Sequence, residues 1–333
     1  MSNFDVYFEE EYGKIYENYG DGKVEVFEYE SQFGKVHYLF LTRKIDNNEF
    51  NMEEEYFDII TPYGYGGPLV LESSDKEKLI EEFINSFEDY CKKNNIVSEF
   101  IRFHPLEKNH KLFTDKDSYK IEKLWNTVVM DIYDKDMCWK NMKSNTRNII
   151  RNFDEENTDL IISKEKQYIE EFINIYNKTM EKNDADDYYY FDKFYFLDIL
   201  DKLENKVELF NIVYKGEVVS ASFVLIGNEY IHYHLSATNP DYYYLNCNNY
   251  LLYEIALWGQ KKGYKKFHLG GGTTASPKDG LFRFKRSMSK KNETLDYYIG
   301  KKIYDNKIYN ELKEKHLEDI GENNSDFFPE YRA

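Results

Sequence analysis

Between Tyr250 and Trp258 the apolar residues Leu251, Leu252, Ile255, Ala256 and Trp258 return at helical spacing. The pattern predicts a helix over 248–262, started by a cap at Asn246 or Asn248 and ended by Gly263. The same reading along the chain predicts a helix over 5–18, strands over 24–30 and 36–44 around a turn at 32–34, and a short strand over 56–60. A helix over 76–94 and a strand over 97–103 complete that series. A second series follows. Helices over 166–182 and 191–203 lead into strands over 206–214, 217–226 and 230–237, then the 248–262 helix and a strand over 266–269. The order helix, three strands, helix, strand is thus read twice, which predicts a duplicated α/β (α+β) architecture, each half a mixed β-sheet flanked by helices. The expected divisions are 1–152, 153–300, and a helical tail over 301–333 that packs back on the first domain.

Charge changes this picture at one place. The chain carries 61 acidic and 44 basic residues and a net charge of −17, which argues against general polyanion binding. Yet Lys261–Lys291 holds ten Lys/Arg and one acid around the triple glycine Gly270–Gly271–Gly272. A cationic island beyond the carboxyl end of a strand marks a place for an anionic group, and residues without a Cβ admit close approach. Neither G-x-x-x-x-G-K-[ST] nor G-x-G-x-x-G is present there, which weighs against nucleotide hydrolysis and dinucleotide redox chemistry. A second basic feature is CWKNMKSNTRNIIRNF, where Lys140, Lys143, Arg147 and Arg151 are spaced to share one helix face. Arg147 and Arg151 are the candidates there for bidentate contact with phosphate or carboxylate.

The three cysteines, Cys91, Cys138 and Cys247, suggest neither a disulfide framework nor a zinc site. The amino terminus is polar, and no stretch approaches the roughly 20 apolar residues that span a bilayer. A cytoplasmic protein is expected.

The segments YFDIITPYGYGGPL, RFHPL, the Trp139-to-Arg147 helix, GEVVSASFVLIGNEYIHYHLSAT and HLGGGTTASPKDGLFRFKRSMS together resemble the Fem peptidyltransferases and the wider FemAB-like proteins. That resemblance implies two tandem GNAT-like domains, the second catalytic, and acyl or aminoacyl transfer to an amine or hydroxyl of a cell-envelope or polysaccharide precursor such as peptidoglycan. It implies a donor that is either aminoacyl-tRNA or acyl-coenzyme A, with no tightly bound cofactor. The acceptor would be an anionic small molecule or a lipid-linked precursor, and charged tRNA would be a further partner. A Phe-Lys pair that matters in the family corresponds here to Phe284 and Lys285. The chain departs from FemA and FemB in lacking room for their long helical hairpin. It also lacks a clear Q/R-x-x-G-x-G/A loop for coenzyme A, since Gln260–Lys265 reads as a helix terminus.

Acyl transfer requires stabilisation of a developing oxyanion. Lys285 is the candidate cation and the amides of Gly270, Gly271 and Gly272 are candidate neutral donors. Phe282 and Phe284 alternate with Arg283 and Lys285, which predicts a strand presenting Arg283 and Lys285 to water. His232 and His234 alternate on another strand; His234 is a candidate base, a metal pair is a weaker reading, and a packed structural histidine a third. Tyr63 and Tyr65 in the PYGYGGP loop could orient substrate, or the loop could be a tight buried turn. A catalytically silent protein that holds a phosphorylated glycan or nucleotide-sugar remains the alternative to an enzyme.

Overall fold

The computed structural model describes residues 4–46, 50, 52, 54–114, 118–183, 186–321 and 327–333. Contacts divide the chain into two units, one of Tyr7–Leu124 with Tyr297–Ala333, the other of the stretch up to Val6 with Trp125–Asp296. The division falls at 124/125 and 296/297, where the sequence reading had put it at 152/153 and 300/301. The chain passes from one unit to the other inside strands that the pattern did not reveal.

In the first unit, α1 (Glu10–Tyr19) precedes β1 (Lys23–Ser31), β2 (Gly34–Lys44), β3 (Phe57–Ile60), β4 (Leu69–Ser73), α2 (Lys76–Lys93) and β5 (Ile96–Arg102). β12 (Leu295–Ile303) and α9 (Asn306–Ile320) bring the end of the chain back to it. Its strands run β1–β2–β3–β5–β12, with β4 also on β2. Only β3 and β5 pair in parallel; the other pairs are antiparallel. α2 starts where the Asp75 carboxylate accepts from the Lys78 amide, and it buries Leu79, Ile80, Phe83, Ile84 and Phe87. These close a core with Val36, Tyr38 and Phe40 of β2. α9 packs on β5, burying Ile308 and Leu312 with Ile45 and Val97.

The second unit contains β6 (Lys120–Asp131, from Trp125 on), α3 (Lys135–Asn141), α4 (Ser144–Arg151), β7 (Thr158–Ile162), α5 (Lys166–Asn183) and α6 (Lys193–Leu203). β8 (Val207–Tyr214), β9 (Glu217–Ile226), β10 (Tyr230–Thr238), α7 (Cys247–Lys262), β11 (Lys266–Gly270) and α8 (Gly280–Met288) follow. The strand order is β6–β11–β10–β9–β8–β7, antiparallel except for β10 with β11. α7 forms as its pattern predicts: Leu251, Leu252, Ile255 and Ala256 are buried, and Gly263 ends it in the left-handed conformation at φ 91°. It packs on one face of the sheet with Val219, Val224, Ile231 and Phe267. α5 and α6 cover the other face, where Phe172, Phe196 and Phe223 meet. Among the described residues, no helix is long and apolar enough to cross a membrane.

Candidate active site

The pairing of β10 with β11 sets the site. It runs from Tyr230–Lys266 to His232–His268 and stops there, although β10 continues to Thr238 and β11 to Gly270. A register irregularity between Tyr233 and Leu235 marks where β10 departs. Two parallel strands that part in this way open the sheet at their carboxyl ends, where backbone groups face a ligand rather than a neighbouring strand.

Lys285 comes to that opening from α8. The sequence alternation around it predicts a strand, but the segment is a helix. Asp279 accepts from the Phe282 amide at 2.8 Å and starts the helix, and Lys285 and Met288, three residues apart, form its buried side. The apparent two-residue alternation is the edge of a helical stripe. Lys285 is therefore not presented to open water: it is 7% exposed. Its ammonium donates to the Gly271 carbonyl at 2.7 Å and lies 5.7 Å from the Tyr233 ring centroid. Tyr233 is the first residue of β10 beyond the stretch paired with β11, and Gly271 is the first residue after β11. Burial pushes the Lys285 ammonium down to about 8, opposed by the negative charge of Asp279. Phe284 is half-buried against the α7 core, and Arg283 is exposed on the outer side of the helix.

The triple glycine has a local explanation. A Cβ on Gly271 would meet the Trp125 indole nitrogen at 2.7 Å, one on Gly272 would meet the Asp279 Oδ1 at 2.3 Å, and Gly270 has φ 73°. These residues let the chain close on Trp125 and Asp279, and Gly271 offers Lys285 its carbonyl. The basic island is partly neutralised as well: Lys265 pairs with Glu229, and Lys266 with Asp131 at 2.7 Å.

The other predicted residues are distributed more widely. His234 lies 3.4 Å from the Tyr195 hydroxyl of α6. Lys285 meets Tyr233, which packs against the α7 core, whereas His234 reaches Tyr195 of α6 on the other face, so His234 and Lys285 serve opposite sides of β10. Burial, with a smaller contribution from His232, pushes His234 down to about 3, which makes it a weak base at neutral pH. His232 is occupied with the Asp5 carboxylate at 2.9 Å, both buried. Lys140 to Arg151 is not one helix: Met142 adopts extended backbone at ψ 155° and separates α3 from α4. Lys140 thus lies on α3, while Lys143 precedes α4. Arg147 donates to the Met142 carbonyl, and exposed Arg151 lies 5.2 Å from the Trp139 ring centroid. Cys247 is buried, and burial pushes its thiol up to about 11, so it is no nucleophile. Tyr63 and Tyr65 belong to the first unit. There the Tyr63 carbonyl accepts from Tyr12 at 2.7 Å and Tyr65 packs edge-on to Tyr7 and Tyr297. Gly64 at φ 92° and Gly67 at φ 88° allow the turns of their loop.

Sequence reasoning missed Tyr233 and Asp279. Asp279 stands before Gly280 and an amphipathic run, which is the signature of a helix cap.

Comparison with known proteins agrees with this geometry. Residues 140–286, which include the β10–β11 opening and Lys285, match the family described as acetyltransferase (GNAT) domain. In fold the chain is similar to FemX and to other GNAT-like proteins. A crystal structure of FemX has a TM-score of 0.70 at 13% identity, covering 92% of this chain and 92% of that one. L-PGS from Bacillus licheniformis has a TM-score of 0.55 at 13% identity, over 93% and 97% of the two chains. The C-terminal DUF2156 domain of a putative lysylphosphatidylglycerol synthetase from Agrobacterium fabrum has 0.56 at 11%, over 89% and 87%. No curated protein matches by sequence.

Proposed function

We propose that this protein transfers an acyl or aminoacyl group to an amine or hydroxyl of an anionic cell-envelope or polysaccharide precursor in the cytoplasm. Aminoacyl-tRNA or acyl-coenzyme A would be the donor. The observation that carries the reading is the buried Lys285 ammonium, held on Gly271 at the mouth of the β10–β11 opening, inside the acetyltransferase segment. FemX and lysylphosphatidylglycerol synthetase, which share the fold, supply the aminoacyl option. Attack of the acceptor on the donor carbonyl builds an oxyanion, and the ammonium stabilises that charge as it forms. When the intermediate collapses and the bond from the acyl carbon to the donor breaks, a lysine of lowered pKa can hand its proton to the departing oxygen or sulfur and take up in its place the proton released by the acceptor's amine or hydroxyl. Arg151, exposed beside Trp139, and Arg283, exposed on α8, are the side chains proposed to meet the anionic part of the substrates.

The test offers purified full-length protein aminoacyl-tRNA and acetyl-coenzyme A with a panel of amino-sugar and muropeptide acceptors. Transfer by wild type and its loss in Lys285→Ala support the reading. Equal transfer by both proteins, or none with either donor, overturns it.

A further inference from the structure

We propose that Asp279 is a positioning residue for Lys285, fixing both ends of the hydrogen bond from the lysine to Gly271. This rests on the reading that Lys285 takes part in transfer. The Asp279 carboxylate accepts from the Phe282 amide at 2.8 Å, as a helix cap does, but it does more than cap. It also accepts from the Thr273 amide at 3.2 Å and hydroxyl at 2.6 Å, and from the Thr274 amide at 3.2 Å and hydroxyl at 3.3 Å. Gly272 has no Cβ where one would stand 2.3 Å from Asp279 Oδ1, so the turn closes directly onto the carboxylate. One end of that turn is Gly271, whose carbonyl receives the ammonium. The helix that Asp279 starts carries Lys285 one turn past the capped Phe282 amide. One carboxylate thereby sets the acceptor through the turn and the donor through the helix.

The charges around Lys285 are few. Tyr233, facing it from β10, has its hydroxyl pushed up to about 12 by burial and stays neutral. α7 approaches with the uncharged Asn249, which donates to the Met288 sulfur. On α8 itself Arg286 donates to the Ser289 carbonyl and Arg283 is exposed. Asp279 is the negative charge that favours the ammonium. Burial opposes the charge of Asp279 too, yet the bonds from Thr273, Phe282 and Thr274 hold its carboxyl below the usual range, so it remains ionised at neutral pH.

The test is an NMR titration of full-length protein labelled at the lysine ε-carbon, with the Lys285 signal assigned by its loss in Lys285→Arg. Asparagine is an excellent helix cap. Asp279→Asn thus keeps the cap and removes the charge, and it should lower the Lys285 midpoint by roughly half a unit or more. The alkaline limit of transfer should move with it, with turnover reduced and acceptor KM little changed, and Asp279→Glu should restore part of the shift. A wild-type midpoint in Asp279→Asn would reduce Asp279 to a cap and overturn the proposal. Should that variant fail to fold, Thr273→Ala, which leaves the carboxylate in place, should still displace the Lys285 signal, and an unmoved signal would overturn it equally. The titration needs no turnover. A lowered midpoint with unaltered transfer would keep the Asp279–Lys285 coupling and remove Lys285 from catalysis.

Discussion

Each unit buries an ionisable group, and the two are furnished very differently. In the first, Glu99 is fully buried and accepts from Tyr38 at 2.6 Å and Tyr304 at 2.6 Å. Lys302 nearby pairs with Glu88 at 2.6 Å and lies 4.3 Å from the Tyr119 ring centroid. These contacts join β2, β5, β12 and α2. In the second, among the described residues, Lys285 makes one hydrogen bond, to a carbonyl in a turn built on glycines. A buried group with several partners from different elements fixes a fold, because removing it strands the others. A buried cation with a single neutral partner is, under the proposed function, the group that meets charge as it develops.

The contrast breaks most visibly at Lys285. Lys285→Ala should lower transfer by on the order of 10²–10³ fold while acceptor binding persists. Its melting temperature should stay near that of the wild type. Glu99→Ala should do the reverse, costing about 2–4 kcal/mol in chemical denaturation because two tyrosine hydroxyls lose their acceptor. A large loss of turnover with little loss of stability in Glu99→Ala would erase the distinction between the two units.

pH sharpens the same comparison. The Lys285 ammonium titrates at about 8, so transfer should fall as pH rises through that value. Stability should move the other way. Burying the protonated lysine weighs against folding below about 8, and the penalty is relieved between 8 and the ordinary value of 10.5. Glu99 is raised by burial, so its unfavourable ionisation weakens the first unit as pH climbs above the usual carboxyl range. Glu99→Gln should flatten that slope in a denaturation series and leave the alkaline limit of transfer in place. The smallest stability effect belongs to Arg151. It is exposed, so Arg151→Glu should shift stability by no more than about 0.5 kcal/mol. Binding of an anionic acceptor should weaken, and unchanged binding would take Arg151 out of the site.

The elements with the clearest spacing were legible in the chain. α7 lies where Leu251, Leu252, Ile255 and Ala256 put it, and the β8–β9 hairpin turns at Lys215–Gly216 as its polar pair implies. The family resemblance and the duplicated order of elements were legible too. β6 and β12 were not. Their partners lie far away in sequence, so no short-range turn announces them, and the chain changes units within each. α8 was misread because in Phe282–Lys285 period two and period 3.6 coincide over four residues. Only the Asp279 cap distinguishes them.

The basic island and its glycines thus marked a cationic segment from residue type and order alone, and the resemblance to the Fem proteins singled out Lys285 within it. The surroundings of the lysine were decided by tertiary structure. Its depth, its carbonyl partner, its lowered pKa and its separation from His234 all depend on how β10 leaves β11 and how Asp279 closes the turn. Electrostatic character is a property of surroundings. A lysine in sequence has one pKa, and only burial beside particular dipoles and charges gives it another.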